Sequence, residues 1–402
     1  MINKSLGIYI HIPFCERKCR YCDFLSFSAN EGKKKKYVDA LIREIRASEF
    51  SGRKADTVFF GGGTPSVLTA EDTVRIMEAV RETFMPDTDT DGDGNGNAPE
   101  ITTECNPKTV TPEKLAAYRK AGINRISFGL QSADVKELKL LGRIHSFTDF
   151  EESLNAAKEA GFENINADLM MGLPGQRAGD LMKTLEKVCD MGLKHISLYS
   201  LILEEGTPLA DNIAGFPPLP DEDEERRMYH EAVSFLENRG FHRYEISNFA
   251  KKGFECRHNL KYWDLDEYMG FGIGAASFAG GRRFSNTKDF EEYVRRYGGQ
   301  ETAPRSFRKA KGTVFVSPEG RHRTVLVYSL MSEFMFLGLR KTEGIRSADF
   351  KDRFGEDVID IYGDVIKRQT EEGTLVRTKE GYALTERGID VSNYVLADYI
   401  LE

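Results

Sequence analysis

The chain has 402 residues, 40% hydrophobic and 30% charged, a size that predicts two or three domains with cores that fold without disulfides or a structural metal. Its 56 basic and 64 acidic residues give a net charge of −8, which argues against a protein that coats nucleic acid. A mean hydropathy of −0.45, the lack of long apolar runs and an N-terminus without a secretory signal predict a cytoplasmic protein with no transmembrane span.

The first half of the chain alternates short β-rich runs with helical patterns. Strands are predicted at residues 6–12, 57–60, 101–105, 125–130, 164–170 and 196–203, with helices at 33–47, 70–83, 112–121, 147–160 and 179–191. This alternation predicts an α/β fold with a parallel sheet, either doubly wound or a full or partial barrel. Polar and glycine-containing segments follow the strands, where such folds place their sites.

The second half has a different pattern. A proline-rich linker at 216–220 leads into a helix that ends near residue 238, and a glycine-dense segment follows at 268–281. From residue 323 the order is three helices, a hairpin and a final helix, which is typical of a winged helix. The acidic balance favours a docking or lid role for it over DNA binding. We therefore expect three domains, at residues 1–240, 241–322 and 323–402.

Three cysteines form a CxxxCxxC loop directly after the first predicted strand, at Cys15, Cys19 and Cys22. Such clustering points to a metal site in a reducing compartment rather than to disulfides. Three thiolates on a tight loop suit a [4Fe–4S] cluster that leaves one iron open to another ligand. A zinc site completed by His11 or a distant cysteine is the alternative.

This loop resembles that of the radical S-adenosylmethionine (SAM) superfamily. The longer string YIHIPFC at 9–15 narrows the resemblance to the oxygen-independent coproporphyrinogen III oxidases and their heme-chaperone relatives. The shared motifs continue in order with GGGTP at 61–65, ECNP at 104–107, SFGLQS at 127–132, LGR at 141–143, NADLMMGLPGQ at 166–176 and HNxxYW at 258–263. The resemblance implies a partial (β/α)6 TIM-like barrel with a smaller C-terminal α+β winged-helix-like domain.

The resemblance also implies the cofactor contacts. Cys15, Cys19 and Cys22 would each bind one iron of the cluster, and SAM would chelate the fourth. The GGGTP turn would hold the methionine end of SAM through Gly62, Gly63 and Thr64, near Glu104 and Tyr9. A second group of positions would line the site of a further SAM: Tyr21, Gln131, Arg143, Asp168, Ile202 and Ala276. An electron donor such as flavodoxin or ferredoxin is implied as a partner.

One departure from the oxidase pattern distinguishes the two branches. The oxidases carry a fourth cysteine two residues after the third, and here that position is Phe24. An apolar ring cannot replace a thiol in proton or radical transfer, so oxidative decarboxylation of coproporphyrinogen III is not expected. The sequence thus favours the heme-chaperone branch (HemW-like), which passes heme to apo-hemoproteins, expected here to be respiratory. A cluster-dependent dimer is a further implication of this branch, and the oxidase stays the alternative.

The HNxxYW motif fits the chaperone branch, where it is the proposed heme-binding motif. His258 could ligate the iron, while Tyr262 and Trp263 offer flat faces to a porphyrin. A packing corner held by hydrogen bonds is the alternative interpretation.

An acidic segment matches the EF-hand calcium loop, with Asp89, Asp91, Asp93, Gly94 and Glu100 at the required spacing. The residues after it predict a strand instead of the exiting helix. A flexible acidic loop is therefore the alternative to a calcium site.

Overall fold

The computed structural model describes residues 5–85, 98–299 and 321–401. The strands are β1 (Leu6–Ile12), β2 (Ala55–Gly62), β3 (Glu100–Cys105), β4 (Arg125–Gln131), β5 (Asn164–Met171), β6 (His195–Ser200), β7 (His242–Glu245), β8 (Asn248–Ala250), β9 (Tyr268–Phe271), β10 (Ala276–Ala279), β11 (Arg282–Ser285), β12 (Ile345–Arg346), β13 (Leu375–Arg377) and β14 (Gly381–Leu384). The α-helices are α1 (Glu31–Arg46), α2 (Ala70–Phe84), α3 (Pro112–Lys120), α4 (Val135–Leu141), α5 (Phe147–Glu159), α6 (Ala178–Cys189), α7 (Pro208–Asp211), α8 (Glu222–Asn238), α9 (Arg257–Trp263), α10 (Phe290–Gly298), α11 (Arg321–Gly338), α12 (Ser347–Phe354), α13 (Val358–Glu371), α14 (Glu386–Asp390) and α15 (Ser392–Ala397).

A large sheet organises the first three quarters of the chain. Its strand order is β11-β10-β9-β1-β2-β3-β4-β5-β6-β8-β7. Strands β1 to β6 are parallel and lie side by side in sequence order. Strand β9 is also parallel to β1 and pairs with it on the side away from β2. The predicted parallel α/β sheet is therefore confirmed. We call the edge where β1–β6 end the carboxyl edge, and the edge where they begin the amino edge.

The sheet is strongly curved. Tyr244 of β7 accepts a hydrogen bond from the backbone N–H of Cys256 at 3.3 Å, and Thr57 of β2 lies 2.9 Å from the Nδ1 atom of His258. In a flat sheet, β2 and β7 would be separated by six strand spacings, about 29 Å. A helix as short as α9 is only about 10 Å long. Because one short segment reaches both strands, the sheet closes around it as a partial barrel.

Apolar strands and helix faces build the core of this barrel. Strand β1 is buried along nearly its whole length, as expected for a parallel strand covered on both faces. Helices α1, α2 and α3 are capped at their N-termini by Asn30, Thr69 and Thr111, whose side chains accept hydrogen bonds from N–H groups of the first turn. These caps explain why the helix starts are predictable from the sequence.

The residues after 240 divide differently from the three expected domains. Strands β9, β10 and β11 continue the main sheet beyond β1, and strands β8 and β7 continue it beyond β6. Met269 and Phe271 of β9 belong to the core of that sheet. The described part of 241–322 is thus continuous with the barrel. Residues 321–401 form a C-terminal unit with the sheet β12-β14-β13 and a second core around Met335 and Tyr362, which also includes Leu265 and Phe278 of the barrel segment. Its order of helices, hairpin and final helices matches the winged-helix-like prediction.

Within the described ranges, none of the helices combines the length and the apolar composition that a membrane crossing needs.

Candidate functional site

The carboxyl edge of the barrel brings most of the predicted site residues together. The cysteine loop follows β1, the glycine turn ends β2, and Glu104 and Asp168 lie near the ends of β3 and β5. Tyr21 has Cys19, Cys22, Arg143 and Asp168 as electrostatic neighbours, and burial raises its pKa above the usual value. The sequence motifs therefore converge on one site, as expected for parallel strands that end at a common edge.

The cysteine loop is fixed at its base and partly open at its tip. The backbone N–H of Cys15 donates to the carbonyl of Phe27 at 3.1 Å, and that of Phe27 donates to Pro13 at 2.9 Å. The N–H of Arg20 donates to the carbonyl of Leu141 at 3.0 Å, which ties the loop to α4. All three cysteines are free and partly exposed. Their thiols are thus held on an ordered loop that still admits a cofactor.

The arrangement does not support the zinc alternative. Both ring nitrogens of His11 are engaged, one with the Tyr9 hydroxyl at 3.1 Å and the other with the Leu25 carbonyl at 3.0 Å. Among the described residues, no three His, Cys, Asp or Glu side chains surround the position of a single ion. A cubic cluster has a different requirement, because each sulfur binds a different iron. Three partly exposed thiols on one loop fit that requirement.

Each cysteine sulfur receives a hydrogen bond. The Thr64 hydroxyl donates to Cys15 Sγ at 3.4 Å, and Nη1 of Arg143 donates to Cys19 Sγ at 3.4 Å. The backbone N–H of Phe24 donates to Cys22, although burial raises the pKa of the Cys22 thiol overall. Such donors stabilise thiolates, the form that binds iron.

The glycine turn after β2 uses its backbone donors within the protein. The N–H of Gly62 donates to Glu104 Oε2 at 3.2 Å, while the N–H groups of Gly63 and Thr64 donate to carbonyls of the β1 segment, each at 2.8 Å. A Cβ on Gly63 would lie 2.7 Å from the carbonyl oxygen of Phe14, so only glycine permits this close approach. A turn without free N–H groups suits an ammonium better than an anion.

Two partly buried carboxyl groups, Glu104 and Asp168, give the site a preference for cations. Burial, together with the nearby charge of Asp168, raises the pKa of Glu104 to about 8. Burial also raises the pKa of Asp168, opposed by hydrogen bonds from Ser127 at 3.0 Å and Asn166 at 2.8 Å. A bound cation would relieve this cost. The ammonium and sulfonium groups of SAM therefore fit this pair.

Arg143 retains one donor for an anionic group. Its Nη2 atom donates to Asn106 Oδ1 at 2.6 Å and to the Gly129 carbonyl, while its buried Nε has no hydrogen-bond partner within the described part of the chain. A ligand carboxylate could accept from that N–H. The side chain of Gln131 lies beside Arg143 and Asn106, next to Gly129, and the backbone of Gln131 has a left-handed φ of 72°.

The other two predicted positions lie at the same edge. Ile202 follows β6 and is 68% exposed. Ala276 is exposed and begins β10, next to the end of β9.

The HNxxYW motif lies at the opposite end of the barrel. It forms α9, where Lys261 binds the Ser5 carbonyl at 3.0 Å and Asp56 at 2.8 Å, both at the amino edge. His258 is only 1% exposed and is bonded through Nδ1 to Thr57 and through Nε2 to Tyr262 at 2.8 Å. Burial lowers the pKa of His258 to about 3. In this conformation neither ring nitrogen is available to an iron, so the geometry favours the packing interpretation of this motif.

The surroundings of Trp263 offer little room for a porphyrin. The Arg340 guanidinium lies over the indole ring at 5.0 Å. A cavity of about 270 Å³ lies nearby, and its lining includes Tyr262, Tyr268, Arg283 and Phe336. That volume is below the roughly 300–1,000 Å³ of common ligand pockets.

Two observations concern residues outside the predicted site. The first concerns Asn106, which accepts a hydrogen bond from Arg143 and donates one to Thr64. Asn106 was not among the predicted site residues, and its position in the ECNP motif, two residues after Glu104, was the signal that could have identified it. Glu100 accepts hydrogen bonds from the N–H groups of His258 and Arg257 at 3.0 and 3.2 Å. The last ligand of the predicted calcium loop is thus committed elsewhere, and the loop positions from Asp89 to Gly94 lie outside the described residues.

Comparison with known proteins places these features in context. Residues 9–188 match the Radical SAM superfamily and residues 329–391 the HemN C-terminal domain. The chain is 34% identical over 397 residues to the heme chaperone HemW of Bacillus subtilis (strain 168), covering 98% of this chain and 99% of that protein. It is 33% identical over 410 residues to the bovine "Radical S-adenosyl methionine domain-containing protein 1, mitochondrial", and the match covers 98% of this chain and 87% of that protein. The solved structure of Escherichia coli coproporphyrinogen III oxidase (HemN) superposes with a TM-score of 0.79 at 21% identity. The superposition covers 98% of this chain and 90% of the oxidase. That likeness shows the fold.

Proposed function

This chain belongs to the HemW family of the radical SAM superfamily, and from that premise we propose that it is a heme chaperone. It binds a [4Fe–4S] cluster, SAM and heme, and passes the heme to apo-hemoproteins. The observation that carries the proposal is the similarity to HemW along the entire chain, at 34% identity over 397 residues. Phe24 in place of a fourth cysteine supports the same branch.

The carboxyl edge supplies the residues for the cluster and SAM. Cys15, Cys19 and Cys22 hold the cluster, which together with SAM supplies one-electron chemistry when bound. Glu104 binds the ammonium of SAM because a cation stabilises its partly desolvated carboxylate, and the glycine turn brings the backbone close to the same group. The free Nε of Arg143 binds a carboxylate.

The proposed heme position is the carboxyl edge and not α9. His258 is sealed, whereas three large apolar side chains at the carboxyl edge face solvent: Phe24 is 62% exposed, Tyr199 40% and Ile202 68%. Exposed apolar side chains at the mouth of a cofactor site are typical of a surface that receives an apolar partner. A porphyrin lying on them would bury area that the free chain leaves in water.

Substitutions distinguish the two heme positions. We expect Phe24→Asp and Ile202→Asp each to weaken hemin binding about tenfold, since each removes roughly 1–2 kcal/mol of apolar burial. Tyr394→Asp is the matched control, because Tyr394 is 71% exposed on α15, far along the chain from this edge. Equal hemin affinity in wild type and both edge variants, measured by Soret absorbance, would contradict this position.

The recipients are proposed to be respiratory apo-hemoproteins, with flavodoxin or ferredoxin as electron donor and a dimer that depends on the cluster. Size-exclusion chromatography with light scattering, before and after anaerobic reconstitution, tests the dimer. An unchanged mass on reconstitution would exclude it.

A turnover assay tests the chaperone against the oxidase. Under anaerobic conditions, the reconstituted protein is given SAM, dithionite and coproporphyrinogen III, and tetrapyrroles and 5′-deoxyadenosine are separated by chromatography. We expect no protoporphyrinogen IX and stoichiometric hemin binding by the same preparation. Product above that of a Cys15→Ala variant would show an oxidase and overturn the proposal.

A further inference from the structure

Three side chains link two of the cluster cysteines into one hydrogen-bonded chain. Arg143 donates through Nη1 to Cys19 Sγ at 3.4 Å and through Nη2 to Asn106 Oδ1 at 2.6 Å. Asn106 donates through Nδ2 to the Thr64 hydroxyl at 3.0 Å, and Thr64 donates to Cys15 Sγ at 3.4 Å. One guanidinium thus contacts one sulfur directly and reaches the second through two intermediates.

The direction of this chain is fixed by the chemistry of its members. A threonine hydroxyl has one proton, and because Thr64 accepts from Asn106, its own proton is left for Cys15. The amide of Asn106 cannot flip without placing its NH₂ group against the donor of Arg143. The Gly129 carbonyl holds the same Arg143 nitrogen, and a side chain on Gly129 would press on both Asn106 and Arg143 at 3.1–3.2 Å. The geometry therefore delivers a donor to each sulfur.

We propose that Arg143, Asn106 and Thr64 form a donor chain that raises the reduction potential of the cluster held by Cys15 and Cys19. The inference rests on the proposed function, in which these cysteines hold a [4Fe–4S] cluster. A reduced cluster carries one more negative charge than an oxidised one, and hydrogen bonds to the cysteine sulfurs stabilise that charge. Asn106 is a positioning residue, since it acts on Cys15 only through Thr64.

Cys22 supplies a comparison within the same loop. Its donor is the backbone N–H of Phe24, which no side-chain substitution removes. Weakening the donor chain therefore affects two of the three sulfurs and leaves the third bond in place. The cluster should remain bound while its potential changes.

The test is an EPR-monitored dithionite titration of the reconstituted protein without SAM, which separates cluster tuning from SAM binding. Thr64→Val removes the hydroxyl at nearly constant volume, and Thr64→Ser restores it. We expect Thr64→Val to lower the ratio of reduced to oxidised cluster at a fixed potential by three- to tenfold, a tenfold change being about 59 mV for one electron. Thr64→Ser should titrate like wild type, and Arg143→Gln should shift the ratio further in the same direction.

Controls separate this inference from the proposed function. Arg17→Gln removes the same charge from an exposed position of the cysteine loop and should leave the midpoint unchanged. A full complement of iron and sulfide with wild-type midpoints in Thr64→Val and Arg143→Gln would overturn the donor chain alone. Absence of a cluster from the wild-type protein would overturn the cluster assignment itself. If Thr64→Val holds no cluster, Arg143→Gln is titrated alone, and an unshifted midpoint in it overturns the inference.

Discussion

At the scale of single residues, the two carboxyl groups of the carboxyl edge set the electrostatics of the site. Within residues 5–85, 98–299 and 321–401, Glu104 accepts a hydrogen bond from the N–H of Gly62, and the charge of Arg125 compensates it only in part. Its partly desolvated charge is therefore costly in the free protein and useful once a cation is bound. This is the arrangement of a group positioned for a ligand at the expense of stability.

The pH dependence of stability follows from the pKa of Glu104. Burial raises it from the ordinary value of 4.5 to about 8, so the folded state holds the proton more tightly than the unfolded state. The contribution of Glu104 to stability is fully present below pH 4.5 and is lost as the pH rises through about 8. Glu104→Gln removes this loss, because the amide can still accept from Gly62. We expect the ligand-free variant to match wild type at pH 5 and to be more stable by about 2 kcal/mol at pH 9.

Thermal unfolding at both pH values measures this difference, with the exposed Glu16→Gln as the matched control. With saturating SAM at pH 9 the order should reverse, since the Glu104 carboxylate neutralises the ammonium and the glutamine amide does not. A variant that is less stable than wild type at both pH values without SAM would show that Glu104 has a structural role.

At the scale of elements, helix α9 closes the amino edge of the barrel. The ring of His258 stacks on that of Phe59, with the ring centroids 5.2 Å apart. Its two nitrogens form hydrogen bonds with the hydroxyls of Thr57 in β2 and Tyr262 in the same helix. Glu100 of β3 accepts from the N–H groups at the start of the helix. Residues at the amino edge of such barrels generally contribute stability rather than chemistry.

Substitution of His258 should therefore affect folding and not heme. His258→Ala leaves a cavity and two unpaired hydroxyl groups, and we expect it to lower the free energy of unfolding by about 3 kcal/mol. Tyr262→Phe removes one hydrogen bond while keeping the ring and should cost about 1 kcal/mol. Hemin titrations of both variants should give the wild-type Soret maximum. A variant with wild-type stability and a shifted or lost Soret band would identify His258 as the iron ligand instead.

The sequence predicted the elements of the barrel better than the contacts between them. The six parallel strands were predictable because each is an apolar run followed by a glycine or polar turn. The short strands β7 and β8 and the seven-residue helix α9 were not, because so few residues carry too weak a periodicity. The position of His258 depends on Thr57, which is 201 residues away along the chain. Only the curvature of the whole sheet determines that pairing.

At the scale of the whole molecule, the C-terminal unit is bound to the barrel through ion pairs and a backbone hydrogen bond. Lys341 is 8% exposed and binds Asp264 at 2.6 Å, while the neighbouring Thr342 donates its N–H to the Tyr244 carbonyl at 3.0 Å. Arg283 of β11 pairs with Glu333 of α11. These contacts explain why the winged-helix-like unit is an integral part of the fold.

Loss of one such contact should destabilise both units together. Lys341→Ala leaves Asp264 without its cation, and we expect a loss of about 1–2 kcal/mol in one cooperative transition. The exposed pair Lys351–Asp357 provides the control, since Lys351→Ala should leave the unfolding transition almost unchanged. Calorimetry distinguishes the outcomes, because a C-terminal unit that folds independently would give a second transition in the Lys341 variant.

Transfer of heme to an acceptor tests the central claim most directly. The anaerobically reconstituted protein is loaded with hemin, freed of excess ligand and mixed with apomyoglobin, and the acceptor is followed by its Soret band. The account predicts that apomyoglobin becomes loaded and that Phe24→Asp delivers less heme than the Tyr394→Asp control. A protein that retains its hemin, or that never binds it, would contradict the assignment as a heme chaperone.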